Sequence, residues 1–136
     1  MRFVFDTNVI VSALLFEQSR PAQAFFGALY REEILLSTDL VNEISRVINR
    51  EKFDRYVSQE QRDQFLIALV QTGTLIEITE AIHVCRDPKD NMILELAVSG
   101  QAVAIVSGDN DLLTLNPFRD IPILSPTAFL DTFLDQ

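Results

Sequence analysis

Two aspartates follow short apolar runs that are typical of β-strands. Asp6 comes directly after the run at residues 2–5, and Asp109 comes three residues after the run at 103–106. Parallel strands end at a common edge of their sheet, and ligands of such sheets bind in the crevice outside that edge. The two carboxylates are therefore candidates for one functional site. Each also has a structural alternative, because aspartate is a favoured helix N-cap and turn residue.

Two further acids lie on predicted helices. Glu43 falls at the border of an apolar arc at helical spacing, so its carboxylate can reach a crevice while the helix backbone stays packed. Asp90 opens a helix for which Asp87 is the expected N-cap and the following proline the first residue, which leaves the Asp90 carboxylate free for another role. The alternatives are a surface Glu43 paired with Arg46 or Arg50, and an Asp90 that only complements the helix dipole.

Carboxylates that converge on one crevice repel one another. Two of them at about 4 Å cost on the order of 4 kcal/mol at an effective dielectric constant of 20. A hard divalent cation removes that cost, and a ligand set made only of oxygen favours Mg²⁺ or Mn²⁺ over zinc. Because Mg²⁺ sites of this kind complete their coordination with water and substrate phosphates, the pattern indicates phosphoryl chemistry.

The elements that would position these acids alternate along the chain. Runs typical of strands lie at 2–5, 34–36, 75–78, 103–106 and 121–124. Helical patterns lie between and after them, at 8–15, 22–30, 40–50, 59–71, 90–99 and 127–134. This alternation predicts an α/β protein in which a parallel five-stranded sheet lies between two layers of helices. We expect residues 1–136 to form a single domain, since no repeat, linker or low-complexity segment interrupts the pattern.

The charge of the chain limits its partners. Its 11 lysines and arginines against 20 aspartates and glutamates give a formal net charge of −9, which argues against tight, unaided binding to phosphate backbones. Basic residues outnumber acidic ones only in the central stretch 44–65. Arg46 and Arg50 in this stretch are candidate phosphate contacts, and the alternative is a solvated helix face with salt bridges.

Other function classes are excluded by what the composition lacks. A single cysteine and a single histidine leave no intramolecular disulfide framework and no motif with paired histidine ligands. No apolar run reaches about 18 residues, so we expect no membrane span. The first residues carry a charge and no signal-peptide core, so we expect a cytoplasmic protein.

Four segments, in order, resemble the motifs of the PIN domain family. They are DTN at 6–8, Glu43 in the third helix, DPKDN at 87–91 and SGDNDLL at 107–113, and the resemblance covers essentially the whole chain. PIN domains are metal-dependent ribonucleases, and the group that this chain resembles most comprises VapC-like toxins of toxin–antitoxin pairs. The resemblance implies the strand order 3-2-1-4-5, an RNA substrate cleaved with Mg²⁺ or Mn²⁺, and a possible cognate antitoxin.

The resemblance also implies roles for individual residues. The catalytic, metal-binding quartet would be Asp6, Glu43, Asp90 and Asp109. Asn8 would support Asp6 by hydrogen bonding, Ser107 would occupy a small-hydroxyl position, and Asp111 would be an auxiliary acid. A metal-activated water would hydrolyse the phosphodiester and leave 5′-phosphate and 3′-hydroxyl ends. Whether Glu43 is a ligand or a water-orienting base stays open.

Two alternatives of other classes remain. One is a PIN-like fold that binds a partner without catalysis. The other is a receiver-type phospho-accepting domain, which would need paired acids after the first strand and a lysine after a late strand. Here the first strand is followed by Asp6 alone, and no lysine follows Lys89.

Two predicted helices carry more apolar residues than one small sheet readily covers. These residues are Phe25, Phe26, Leu29 and Tyr30 in the second helix and Phe65, Leu66, Ile67, Leu69 and Val70 in the fourth. A helix that is apolar on more than one side needs a second surface to bury against, and we therefore expect a homodimer. The alternative is that all of them pack inside one protomer.

Overall fold

The structure, a computed structural model, describes residues 1–134 as a five-stranded parallel sheet flanked by helices. Its strands are β1 (Arg2–Phe5), β2 (Glu33–Leu36), β3 (Thr74–Leu75), β4 (Ala104–Val106) and β5 (Ile123–Leu124). They lie in the order β3-β2-β1-β4-β5, and every neighbouring pair is parallel. The predicted α/β class and strand order are confirmed. A receiver-type sheet has the order 2-1-3-4-5, so that alternative does not fit this protein.

The helices begin where the sequence offers an N-cap. They are α1 (Thr7–Leu15), α2 (Arg20–Arg31), α3 (Thr38–Ile48), α4 (Gln59–Thr72), α5 (Pro88–Ser99), α6 (Asn110–Leu113) and α7 (Pro126–Phe129). A 3₁₀ turn, Glu51–Phe53, follows α3, and a π-helical turn, Leu130–Leu134, follows α7. The side chain before each α-helix accepts a hydrogen bond from a backbone N–H of the first turn, and these caps are Asp6, Ser19, Ser37, Ser58, Asp87, Asp109 and Ser125.

The central strands are buried between the two helical layers. Phe3 and Phe5 of β1 are fully buried, and their rings meet the edge of Phe129 from α7 at centroid distances of 4.8 and 5.4 Å. Phe5 also contacts Phe25 of α2 at 5.6 Å. Across the sheet, α5 packs against β1, β2 and β4. The aromatic core therefore packs α2 and α7 against β1 in the middle of the sheet.

The register of these two strands brings two polar residues together. Phe5 of β1 pairs with Val106 of β4, and the Asp6 N–H continues the ladder by donating to the Val106 carbonyl at 3.0 Å. Asp6 and Ser107, the next residue of each strand, therefore lie beside each other at the carboxyl edge of the sheet.

Two elements differ most from the sequence prediction. Two others differ less, since β5 begins at Ile123 instead of 121 and the last helix turns π-helical after Phe129. Strand β3 ends at Leu75 instead of 78, because β2 ends where Ser37 caps α3 and offers no ladder partner beyond the Leu36 carbonyl, which accepts the Ile76 N–H at 2.7 Å. The chain after β3 bonds instead to α5, where Thr79 N–H donates to Ser99 Oγ at 3.0 Å and Ile82 N–H donates to Glu95 Oε2 at 2.9 Å. The short helix α6 was not among the predicted helices. Among the helices of residues 1–134, none is long and apolar enough to cross a membrane.

Candidate metal centre

Asp6 lies at the end of β1 with only 5% of its surface exposed. One carboxylate oxygen, Oδ1, accepts the Val9 N–H at 2.9 Å and so caps α1, while Oδ2 accepts the hydroxyl of Ser107. Burial raises the pKa of Asp6, and the hydrogen bonds from Ser107 and from backbone N–H groups, including that of Asn8, oppose this effect. Asp6 is therefore both an N-cap and a carboxylate held in place from two sides.

Ser107 connects the two strand-end aspartates. It is fully buried, and its Oγ donates to Asp6 while it accepts the Asp109 N–H at 3.0 Å. Asp109 in turn caps α6 by accepting the Asp111 N–H at 2.9 Å. A single hydroxyl thus fixes the position of Asp109 relative to Asp6.

Three aspartates form a close cluster beside this pair. Asp90, Asp109 and Asp111 each present a carboxylate oxygen, and these oxygens all lie within 4.8 Å of one another. Partial burial and then the charge of Asp109 raise the pKa of Asp90 to about 6. Asp111 is more exposed and pairs with Arg86 at 3.0 Å. A donor set of carboxylate oxygens whose charges repel one another fits a hard divalent cation such as Mg²⁺ or Mn²⁺.

Glu43 approaches from α3 with its charge already paired. Its carboxylate binds the Arg46 guanidinium at 2.9 and 3.0 Å, and Lys89 Nζ from the first turn of α5 lies 3.7 Å away. The pairing with Arg46 is the alternative weighed from the sequence, yet Glu43 also lines the same cleft as Asp90. Glu43 does not belong to the cluster of three aspartates, whose oxygens come only from Asp90, Asp109 and Asp111.

One cleft of about 180 Å³ joins these side chains at the carboxyl edge of the sheet. The predicted acids that line it are Asp6, Glu43, Asp90 and Asp109, and Asn8 lies among them. Two cationic side chains, Arg50 and Lys89, also line it. Within residues 1–134, the Arg50 guanidinium makes no hydrogen bond or ion pair, whereas Arg46 is engaged by Glu43. The structure therefore brings the four predicted acids to one place, and their chemical roles stay predictions.

Two residues near the cleft were not singled out from the sequence. Lys89 approaches Glu43 across the cleft, and only the packing of α3 near α5 could reveal that.

Asn91 is 8% exposed, and its Oδ1 accepts the N–H groups of Val84 and Cys85 at 3.1 and 2.9 Å. The sequence did contain a sign that Asn91 is buried, since this polar residue lies one helical turn before Leu94, on the apolar side of α5. It fixes the segment that leads into Asp87.

The raised pKa of Asp90 predicts how stability depends on pH without metal. The folded protein binds a proton at Asp90 more strongly than the unfolded chain does, so stability falls as pH rises from near 3.8 to about 6. We expect the melting temperature in EDTA to be less sensitive to pH in this window for Asp90→Asn than for the wild type. Asp63→Asn, on the exposed side of α4, is the matched control. Identical profiles for Asp90→Asn and the wild type would contradict this prediction.

The fold and the cleft together define a class: a parallel α/β protein of strand order 3-2-1-4-5 with an acidic, oxygen-rich site at the carboxyl edge of its sheet. A profile of the PIN domain matches residues 2–111, a range that contains all four acids. The chain belongs to the PIN domain family, whose members are generally nucleases.

The chain is also similar to known proteins in sequence and in structure. The uncharacterized protein MJ1680 of Methanocaldococcus jannaschii is 30% identical in an alignment of 144 positions that covers 98% of this chain and 92% of that protein. The crystal structure of VapBC2 from Rickettsia felis, bound to a DNA fragment from its promoter, aligns with a TM-score of 0.61 at 12% identity and covers 92% of this chain and 98% of that chain. PAE2754 from Pyrobaculum aerophilum aligns with a TM-score of 0.66 at 17% identity and covers 100% of this chain and 91% of that one. At these identities the two structures share the fold.

Proposed function

We propose that this protein is a Mg²⁺- or Mn²⁺-dependent endoribonuclease and the toxin of a toxin–antitoxin pair. The observation that carries the proposal is the cluster of Asp90, Asp109 and Asp111 oxygens within 4.8 Å, tied to Asp6 through Ser107. Membership in a family of nucleases supports the hydrolytic reaction. An antitoxin partner is supported by the structural likeness to a VapBC protein.

In this proposal the residues of the cleft have different roles. Asp6, Asp90 and Asp109 would hold the cation directly or through water, and Asp111, whose carboxylate lies close to those of Asp90 and Asp109, would be an auxiliary acid. A bound Mg²⁺ or Mn²⁺ would lower the pKa of a water and offset the charge of the phosphate. Glu43, beside them, would be a further ligand or the base that orients the attacking water.

Cleavage of RNA tests this function directly. We expect the wild type with Mn²⁺ to cut single-stranded RNA inside the strand, and the products to carry 5′-phosphate ends that a phosphate-specific exonuclease recognises. EDTA and the Asp6→Asn variant should each abolish the reaction. RNA binding without cleavage under all metal conditions would favour the alternative of a PIN-like binding module. Such an activity would operate in the cytoplasm, where its RNA substrates are.

Arg46 in α3 and Arg50 just after it should contribute unequally to RNA binding. Replacing both Arg46 and Arg50 with alanine should weaken RNA binding and flatten its salt dependence, with less change of the rate at saturating RNA. Arg50→Ala alone should flatten the slope by about 0.7, since Arg50 lines the cleft and has no ion pair within the described residues. Arg46→Ala should change the slope less, because Glu43 already neutralises Arg46. An unaltered slope in the double variant would leave a solvated helix face as the better interpretation.

A homodimer is part of the proposal because some apolar side chains find no cover in one protomer. Of the set named from the sequence, Phe25, Leu29 and Leu69 are buried. Tyr30 is 76% exposed, and Phe26 packs between it and Phe65 at centroid distances of 6.3 Å each, which leaves an aromatic patch between α2 and α4. Sedimentation equilibrium at micromolar concentration should give twice the protomer mass. A single species of 15.4 kDa would contradict the dimer.

A further inference from the structure

An exposed surface of aromatic and basic side chains begins next to the cleft residue Arg50. The 3₁₀ turn Glu51–Phe53 and the turn after it carry Lys52, Arg55 and Tyr56, and α1 ends against them at Phe16. We call Phe16, Lys52, Arg55 and Tyr56 the aromatic–basic surface.

The two rings of this surface are paired but only half covered. Their centroids lie 5.9 Å apart at an interplanar angle of 67°, and Phe16 and Tyr56 are 50% and 49% exposed. The Arg55 guanidinium lies 5.9 Å from the centre of the Tyr56 ring, and Lys52 Nζ lies 5.1 Å from that of Phe53. Exposed rings flanked by cations are the arrangement with which proteins bind single-stranded nucleic acid, because rings stack on bases and cations contact phosphates.

The surface is positive although the chain carries a net charge of −9. Arg62 of α4 is 4% exposed and binds Asp54 through Nη1 at 2.9 Å, which neutralises one of the two acids between residues 50 and 56. Glu51 is the other acid, and it stands against three cationic side chains at 50, 52 and 55. The charge is therefore complementary to a phosphate backbone.

The backbone beneath the surface is already ordered. The N–H groups of Phe53, Asp54 and Tyr56 donate to carbonyls three residues earlier at 2.9 to 3.0 Å. Arg62 Nη2 lies 3.4 Å from the Arg50 carbonyl, and the buried Val57 anchors the end of the segment. A ligand would bind without first ordering this segment, which lowers the cost of binding.

We propose that the aromatic–basic surface binds single-stranded RNA a few nucleotides away from the nucleotide that is cut. One base would stack on the face of the Tyr56 ring beside Phe16, and the flanking phosphates would contact Lys52 and Arg55. Helix α1 connects the cleft to this surface, since its N-cap is Asp6 and its C-cap is Phe16. Its nine residues span about 14 Å. This length corresponds to roughly four nucleotides of a stacked strand. This inference rests on the proposed ribonuclease function, because that function is what would lead the RNA strand from this surface into the cleft.

Tyrosine fluorescence can test the stacking directly. The chain has two tyrosines, Tyr30 and Tyr56, and no tryptophan, so Tyr56 is the sole tyrosine emitter in a Tyr30→Phe variant. In EDTA, a 12-nucleotide oligouridylate should quench this variant, and an abasic strand with the same number of phosphates should not. The Tyr56→Phe variant, which reports on Tyr30, corrects for light absorbed by the RNA.

Kinetics with Mn²⁺ supply a second measurement. Tyr56→Ala should raise KM for single-stranded RNA about tenfold with kcat nearly unchanged, and Tyr56→Phe should restore the wild-type KM because it keeps the ring. Replacing Lys52 and Arg55 together with glutamine should flatten the salt dependence of binding by about 1.4. Val103→Ala, an exposed apolar truncation at the opposite edge of the sheet, is the control variant.

The results separate this inference from the proposed function. Equal quenching of Tyr30 and Tyr56, or a wild-type KM for Tyr56→Ala in a protein that cleaves RNA, would overturn the surface as an RNA site and leave the ribonuclease standing. Selective quenching of Tyr56 in a protein that cuts no RNA would support the surface and overturn the ribonuclease.

Discussion

Asp6→Asn is expected to reduce the rate of RNA cleavage by about 10³-fold or more at saturating Mg²⁺ or Mn²⁺. The variant replaces one anionic oxygen of the proposed site with a neutral amide, and charge stabilisation by a bound metal is worth several kcal/mol in such reactions. Single-turnover cleavage of an end-labelled RNA, followed over a range of metal concentrations, measures the loss. Asp109→Asn should behave in the same way.

The fold of Asp6→Asn should survive, which separates a lost site from a lost structure. Asparagine is as good an N-cap as aspartate, so the hydrogen bond from the Val9 N–H can remain. Burial already opposes the ionised form of Asp6, so the metal-free variant should melt at the same temperature as the wild type or higher. Full activity of Asp6→Asn at saturating metal would refute the site assignment.

Ser107→Ala should weaken metal binding by about 10- to 100-fold, the range typical when a residue that orients a metal ligand is removed. The substitution deletes the donor to Asp6 Oδ2, and it leaves the partly buried Asp109 N–H without its acceptor. Isothermal titration with Mn²⁺, together with the metal concentration that gives half-maximal cleavage, measures the effect.

Ser107→Thr is the matched control for this prediction. Threonine keeps the hydroxyl, so both hydrogen bonds can form, and the variant should bind metal nearly as the wild type does. Wild-type affinity in Ser107→Ala would mean that the hydroxyl does not position Asp6 and Asp109 for a metal.

The strands and the place of the acids could be predicted from local patterns, whereas the strand order was implied only by the resemblance to PIN domains. Alternating apolar runs define the strands, and the segments DTN, DPKDN and SGDNDLL carry the resemblance to PIN domains. The end of β3 could not be predicted, since Thr79 and Ile82 bond to side chains of α5 that are distant in sequence. The i+3 pairing of Glu43 with Arg46 was visible as an alternative, whereas the approach of Lys89 depends on tertiary packing.

The roles of the acids stay predictions for a physical reason. Asp6 and Asp109 both cap helices, and Glu43 forms ion pairs, so the structural and the catalytic interpretations predict the same positions. The cluster of Asp90, Asp109 and Asp111 is the feature that capping alone does not explain, since close carboxylates destabilise one another.

The pairing of Phe5 with Val106 has a consequence for changes in chain length. Asp6 and Ser107 directly follow the paired residues, so no loop separates the hydrogen-bonded ladder from the site. A deletion of one residue within β1 would shift the side chains between the deletion and the end of the strand to the opposite face of the sheet and turn Asp6 away from Ser107. Residues added at the opposite edge, in the connection between Gly100 and β4, would leave this spacing unchanged. Insertions and deletions should therefore be far less tolerated at one edge of the sheet than at the other.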